Sequence, residues 1–231
     1  MKVYHSLEEF QPLHYAVVTS GTFDGVHKGH QKILARLKEI TAECNGEAVV
    51  ITFWPHPRKI LQNSQENDLK LLSTLDEKIH LLKEHGIDHL LIIPFTKEFS
   101  QMTSEQFIKT VLSEKINTKK LVIGYDHKFG KNREGSFEHL KENGPIYGFT
   151  VEEIPKQDID HIAISSTNIR KALIEGKINT ATEYLGRYYS FTGKVIEGNK
   201  LGRKIGYPTA NLQLPTEEKI VPKDGVYAVL V

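Results

Sequence analysis

Two histidines and three glycines fall within ten residues of this 231-residue chain, in the string Gly21-Thr22-Phe23-Asp24-Gly25-Val26-His27-Lys28-Gly29-His30. Gly21 and Gly25 allow a tight turn and close backbone approach. A helix opening after Gly29 would offer free N–H groups and the positive end of its dipole to an anion. His27 and His30 add donors for phosphate oxygens, and an unperturbed histidine can carry charge near neutrality. The chemistry suited to such a string is the holding of a nucleoside triphosphate. The His-x-Gly-His pattern alone is weak, since this composition would produce it in about one chain in twenty-five. Its position between a strand and a helix gives it weight.

A second string, Ile164-Ser165-Ser166-Thr167-Asn168-Ile169-Arg170, reads as another helix start. Ser165 or Ser166 can cap a helix carrying Ile169, Leu173 and Ile174. The plain reading is that cap. Hydroxyls at a helix N-terminus with Arg170 one turn in also suit a phosphate clamp.

The elements that must position these strings follow from hydrophobic periodicity. Tyr15 to Thr19, Ala48 to Phe53, His89 to Ile93, Leu121 to Ile123 and a stretch around Phe149 to Val151 read as strands, most of them continuous apolar runs buried on both faces. Between them Ile33, Leu34, Leu37 and Ile40 fall at helical spacing. Thr74 to Glu77 forms a capping box ahead of Ile79, Leu81 and Leu82, and Thr103 to Gln106 caps a helix carrying Phe107, Val111 and Leu112. Alternating strand and helix predicts an α/β fold with a parallel sheet and helices on both faces. Ser64 to Asp68 reads as a mobile loop. From about Tyr188 the pattern changes to Gly-rich, alternating text, and Val226 to Val231 reads as a strand. Two domains are expected, residues 1–186 and an all-β segment over 187–231, with the boundary near 184–190.

The two anion-binding strings together resemble the nucleotidyltransferase superfamily with H-x-G-H and I-S-S-T-x-x-R signatures. Three further strings narrow the resemblance: Thr52-Phe53-Trp54-Pro55-His56-Pro57, the run from Gly124 to Gly135, and Gly202-Arg203-Lys204-Ile205-Gly206-Tyr207-Pro208-Thr209-Ala210-Asn211-Leu212. With these the chain is similar, over nearly its whole length, to the prokaryotic bifunctional riboflavin kinase/FMN adenylyltransferase (FAD synthetase) family. The resemblance implies a Rossmann-like nucleotidyltransferase domain followed by an incomplete split-barrel riboflavin kinase segment. It implies FAD synthesis by transfer of AMP from ATP to FMN. In a longer chain it also implies ATP-dependent phosphorylation of riboflavin, whose general-base glutamate lies beyond the P-T-A-N string in the family.

Carried over residue by residue, His27, His30, Ser166 and Arg170 are expected to serve catalysis. Gly21, Phe23, Asp24, Gly25, Gly29, Ser165, Thr167 and Asp126 are expected near ATP. Phe53, Trp54, Pro55, His56, Pro57 and Arg133 are expected on the flavin side, with Phe53 and Trp54 as possible ring contacts. Thr209 and Asn211 are expected to serve phosphate and metal in the kinase half. Mg²⁺ is expected to be held mainly by phosphates. Two positions depart from the family pattern: Ala163 where many relatives carry a basic residue, whose contact His161 could take over, and His127 where many carry Phe.

Composition bounds the rest. Lys+Arg number 30 against 29 Asp+Glu, so no basic excess points to nucleic acid or to a membrane surface. The single cysteine, Cys44, excludes an intrachain disulfide and a C-x-x-C site. An acid pair, Glu8-Glu9, stands where a signal peptide would be apolar, and the expected setting is cytoplasmic, with small-molecule partners and the oligomeric state left open. The alternatives are another H-x-G-H transferase, of phosphopantetheine or nicotinate mononucleotide type, and a non-catalytic flavin- or nucleotide-binding module.

Overall fold

In the computed structural model, which describes residues 1–61, 69–125, 127–155 and 164–231, six strands form one parallel sheet. They are β1 (Lys2–Tyr4), β2 (Ala16–Ser20), β3 (Glu47–Trp54), β4 (His89–Pro94), β5 (Thr118–Gly124) and β6 (Thr150–Ile154). Their order across the sheet is β1-β4-β3-β2-β5-β6, every neighbouring pair parallel. The five strands expected from the sequence are all present. The sixth, β1, is three residues long with no fully buried side chain, which is too short and too polar for a periodicity signal.

Period-two alternation divides the strand side chains between two apolar layers. Val49, Ile51, Leu91, Ile93, Leu121 and Ile123 face one side, against Phe107, Ile108, Val111, Leu112 and Leu140. Val17, Ala48, Val50, Leu90, Ile92 and Val122 face the other, against Leu34, Leu37 and Ile40 of helix α1 (Lys28–Cys44) and Leu82 of helix α3 (Leu75–Glu84). Between them in sequence lies the short helix α2 (Pro57–Leu61). Both capping boxes form as read. Thr74 Oγ1 accepts from Glu77 N at 3.2 Å while Glu77 accepts from Thr74 N at 2.9 Å. Thr103 and Gln106 do the same at α4 (Ser104–Gln106), which widens into a π-helix over Phe107–Lys115. Helix α5 is Phe137–Asn143.

Strand β2 lies at the centre. The chain leaves it toward β3 and β4 on one side and later returns to β5 on the other. Connections therefore diverge at the C-terminal ends of β2 and β5, the place where open α/β sheets bind ligands. The first of the two anion-binding strings leaves β2 at this point. The second opens helix α6 (Ser166–Ile174), which with α7 (Ile178–Leu185) and the buried Leu72 and Ile220 forms a third apolar cluster.

The C-terminal text forms only one strand pair, β7 (Lys194–Ile196) with β8 (Asn211–Gln213), antiparallel and exposed throughout, with the four-residue helix α8 (Leu201–Lys204) between them. The strand expected over Val226 to Val231 is not formed. Apolar β-branched composition does not make a strand without a neighbour to pair with, and Val226, Val229 and Val231 lie exposed. The residues just before it return to the large domain instead. Lys219 forms a parallel bridge with Leu71, Glu218 O accepts from Leu71 N at 2.7 Å, and Leu71 O accepts from Ile220 N at 3.0 Å. The Lys219 ammonium is buried, donates to Leu72 O at 2.7 Å and to Glu77 at 2.6 Å, and sits 4.6 Å from the centre of the Tyr189 ring. The loop expected over Ser64 to Asp68 lies outside the described residues.

Removing one member of a buried pair leaves the other charge uncompensated, which typically costs about 3 kcal/mol or more. Lys219→Ala should therefore lower stability by roughly 3 kcal/mol, and Lys219→Ala combined with Glu77→Gln should be less destabilised than the sum of the two single changes. Urea unfolding of the four proteins checks this.

Candidate active site

The loop between β2 and α1 is built around the Asp24 carboxylate, which is 1% exposed. Its oxygens accept from Leu72 N at 3.0 Å, from Ser73 N at 3.1 Å and from Ser73 Oγ at 3.3 Å. It also pairs with the Arg170 guanidinium, which is 10% exposed and whose Nε donates to Lys70 O at 2.7 Å. Ser166 Oγ donates to Asp24 O at 2.9 Å. The starts of α1 and α6, far apart in sequence, thus meet through one residue. Ser73 Oγ accepts from Gly25 N at 3.1 Å, and Arg187 Nη2 donates to Gly25 O at 2.8 Å. Gln31 Nε2 donates to both Val26 O and Leu185 O at 2.8 Å. At Gly25, φ is +79° and a Cβ would stand 2.8 Å from a Leu72 methyl, so both conformation and space require glycine there.

The first helix begins at Lys28, two residues earlier than its glycine suggested. His27 is the N-cap, its Nδ1 accepting from His30 N at 3.4 Å, and Gly29 is buried inside the first turn. This bond makes Nδ1 the acceptor, so the neutral ring carries its proton on Nε2. The His27 and His30 rings stack at 3.7 Å, and Phe23 lies 5.0 Å from His30. His30 Nδ1 is buried with no hydrogen-bond partner. Burial pulls His27 down to about 4 and holds His30 well below the ordinary histidine range, with the neighbouring His27 adding to the effect on His30. The expectation that either could be charged near neutrality is thereby corrected: both rings are neutral donors at pH 7.

Neither α1 nor α6 carries an acidic residue in its first turn, whereas α3 has Asp76 and Glu77, α4 has Glu105 and α5 has Glu138. The carboxylate beside these two helix starts is that of Asp24, and it is already paired with Arg170. Ser165 caps α6, accepting from Asn168 N at 3.2 Å, while Thr167 is exposed. Gly21 follows β2 directly, and its N–H donates to Ile51 O at 3.0 Å.

The flavin-side string divides. Trp54 packs on the layer that holds Phe23 and α1, but Phe53 faces the opposite layer, 5.8 Å from Phe95 and 5.9 Å from Phe99. Alternation along β3 separates the two rings expected to act together. His56 is buried, accepts from Arg58 N at 3.2 Å and is held down at about 4 by burial. Pro55 is exposed and Pro57 opens α2. Arg133 is exposed on the loop after β5, with φ +61°. In that loop His127 stacks on Phe129 at 5.7 Å and its Nε2 lies 3.3 Å from Ser20 Oγ, so the residue that departs from the family pattern touches the end of β2. Asp126, His161 and Ala163 lie outside the described residues. Thr209 is exposed just before β8 and Asn211, its first residue, is exposed opposite Ile196 of β7.

Several residues of the site were not anticipated. Ser73, Arg187 and the buried Lys78 belong to no string with a spacing signature, and only the folded contacts bring them here. Among the described residues no group of three or more His, Cys, Asp and Glu side chains could hold a metal ion. Asp24, the carboxylate at the centre, has its oxygens committed to protein donors.

A family model described as FAD synthetase matches residues 10–168. This chain belongs to the FAD synthetase family. A second model, riboflavin kinase, matches residues 185–231. The bifunctional riboflavin kinase/FMN adenylyltransferase of Buchnera aphidicola subsp. Schizaphis graminum is 46% identical over 94% of this chain and 68% of its own length. The protein of the same name from Escherichia coli strain K12 is 36% identical over 98% of this chain and 71% of its own length. A solved structure from Streptococcus pneumoniae, named a macrolide-efflux protein, superposes with a TM-score of 0.86 at 32% identity, covering 98% of this chain and 72% of its own. Among the described residues no helix is long and apolar enough to cross a membrane.

The buried neutral histidines of this site make stability sensitive to acid. In the unfolded chain His27 and His56 titrate near 6.5, and in the folded protein near 4. Between those values the unfolded state binds more protons, so the contribution is complete above pH 6.5 and is lost as pH falls toward 4. Each histidine should cost roughly 3 kcal/mol by the lower pH. Urea midpoints measured across this window should fall steeply, and His56→Gln should flatten the slope.

Proposed function

We propose that this chain forms FAD by transferring AMP from ATP to FMN. The observation that carries this reading is the meeting of two helix N-termini, neither with an acidic residue in its first turn, at the sheet's switch point, joined by Ser166 and Arg170 to Asp24, in a chain of the FAD synthetase family. A terminal phosphate oxygen of FMN attacks the α-phosphorus of ATP. The new P–O bond forms as the bond from that phosphorus to the α,β-bridging oxygen breaks, and pyrophosphate leaves with the electron pair. A phosphate monoester is already anionic near neutral pH, so the attack needs no side-chain base. The work left to the protein is to align two anions and to stabilise charge on the transferring phosphoryl group and the leaving group.

His27 Nε2–H and the backbone N–H groups opening α1 and α6 are the donors for that task. As neutral groups in a buried site they stabilise growing negative charge without first being desolvated as ions. Magnesium enters as part of the MgATP substrate and offsets the triphosphate charge. Arg170 acts mainly by holding Asp24 and the 70–73 segment, since two of its three guanidinium nitrogens are engaged there. Trp54, on the histidine face of the sheet, is the better candidate for a flavin contact than Phe53.

We assign adenylyl transfer to residues 1–186 and a riboflavin kinase-like module to 187–231, with Thr209 and Asn211 as its phosphate and metal groups. Riboflavin phosphorylation is the second activity of longer chains in this family. The setting is cytoplasmic and the partners are small molecules.

Incubation with ATP, Mg²⁺ and each of FMN, phosphopantetheine and nicotinate mononucleotide should yield adenylylated product with FMN alone. Formation of dephospho-coenzyme A or a nicotinate dinucleotide instead would overturn the assignment. His27→Ala should lower turnover about a hundredfold, the scale of one transition-state donor, and Ser166→Ala should lower it by releasing the start of α6 from the Asp24 carbonyl. Riboflavin with ATP should give no FMN with this 231-residue polypeptide, because the β7–β8 pair has no buried residue to hold Thr209 and Asn211 in place.

A further inference from the structure

Lys78 stands in the first turns of α3 with its side chain 1% exposed. Its ammonium makes no hydrogen bond and no ion pair with any described residue, and its one close partner is the Trp54 ring, 5.3 Å from ring centre to Nζ. The carboxylates that could compensate it are committed elsewhere. Asp24 favours the charge on Lys78 from a distance, but its oxygens accept from Leu72, Ser73 and Arg170. Glu77, the preceding residue, is shared between the Thr74 amide and Lys219. The contrast with Lys219 is instructive: that buried ammonium donates to a carbonyl and a carboxylate, so this fold can pair a buried lysine.

An ammonium buried without hydrogen-bonded compensation is costly. Burial accordingly draws Lys78 down to about 8. The charged and titratable groups around it come from three other elements: Asp24 from the β2–α1 loop, His30 from α1 and His56 from the end of β3, both histidines being further discouraged from protonation by Lys78. Lys78 therefore lies where the histidine face and the Trp54–His56 string converge, and the neutral rings beside it leave it the cation of that convergence with no protein anion bound.

We propose that the Lys78 ammonium is a substrate-binding group of this site, donating hydrogen bonds to the phosphoryl oxygens of the group in transfer between the triphosphate and the flavin phosphate. The case for an anion at Lys78 rests on its burial and on the absence of a hydrogen bond or ion pair from its ammonium to a described residue. Which anion fills it rests on the adenylyl-transfer reading above.

The test uses Lys78→Arg and Lys78→Met beside the unaltered chain. FAD formation is followed across the alkaline range, and binding of an α,β-methylene analogue of MgATP is measured by calorimetry at pH 8.5 in two buffers of different ionisation enthalpy, which gives the protons taken up. In the unaltered chain kcat/KM should fall above about pH 8, and analogue binding should take up protons as the ammonium meets its anion. Lys78→Met should lose about a hundredfold in kcat/KM and the proton uptake with it. Lys78→Arg should keep much of the rate and shift the alkaline limb upward. A Lys78→Met enzyme within threefold of the original, or proton uptake unchanged by both substitutions, would overturn the proposal. Should Lys78→Met fail to fold, the pH profile and proton uptake of Lys78→Arg decide alone. If the unaltered chain makes no FAD, the adenylyl-transfer reading fails, and the calorimetry still decides whether Lys78 binds an anion.

Discussion

The pairing of Asp24 with Arg170 places two helix starts side by side although nearly 150 residues separate them. A buried ion pair contributes little net stability, because desolvation offsets most of the attraction. What this one supplies is position. The Asp24 carboxylate has a fixed set of donors, the amides of Leu72 and Ser73, the Ser73 hydroxyl and the guanidinium, and they leave it a single placement. Its backbone carbonyl receives Ser166. The loop that bears His27 and the helix that begins at Ser166 are therefore located against each other by hydrogen bonds of definite direction rather than by apolar contact alone.

Around this fixed point the site is assembled from neutral or uncompensated donors. The histidines are kept uncharged by burial, and the first turns of α1 and α6 carry no acidic residue. Buried groups of this kind hold fields that water and counter-charges would otherwise damp. Proteins usually neutralise such ends, as α3 does with Asp76, Glu77 and a complete capping box.

Much of the fold was legible because parallel strands buried on both faces read as unbroken apolar runs, and because capping boxes at Thr74 and Thr103 announce their helices in four residues. The two anion-binding strings were legible for a similar reason: their glycines, hydroxyls and histidines act through backbone close at hand. Ser73, Lys78, Arg187 and Lys219 were not, since each finds its partner across tens of residues or more, and nothing in its own neighbourhood marks it. The separation of Phe53 from Trp54 was available in principle, as adjacent residues of a strand must face opposite sides. Val226 to Val231 taught the reverse lesson: composition suggests a strand, but a strand is a relation between two segments.

The segment around Lys219 has a bearing on how this chain can be inherited. By sequence it belongs to the riboflavin kinase match over residues 185–231, yet its backbone adds a bridge to Leu71 and its ammonium completes the acidic cap of α3. Arg187, at the same frontier, grips the carbonyl of Gly25. A recombination that cut the gene between the two modules would leave the first with an orphaned glutamate and a loosened loop. Exchange of the second module between relatives is tolerable only where these few residues travel with it. The frontier between the modules is thus a line in the sequence that the folded chain crosses and recrosses.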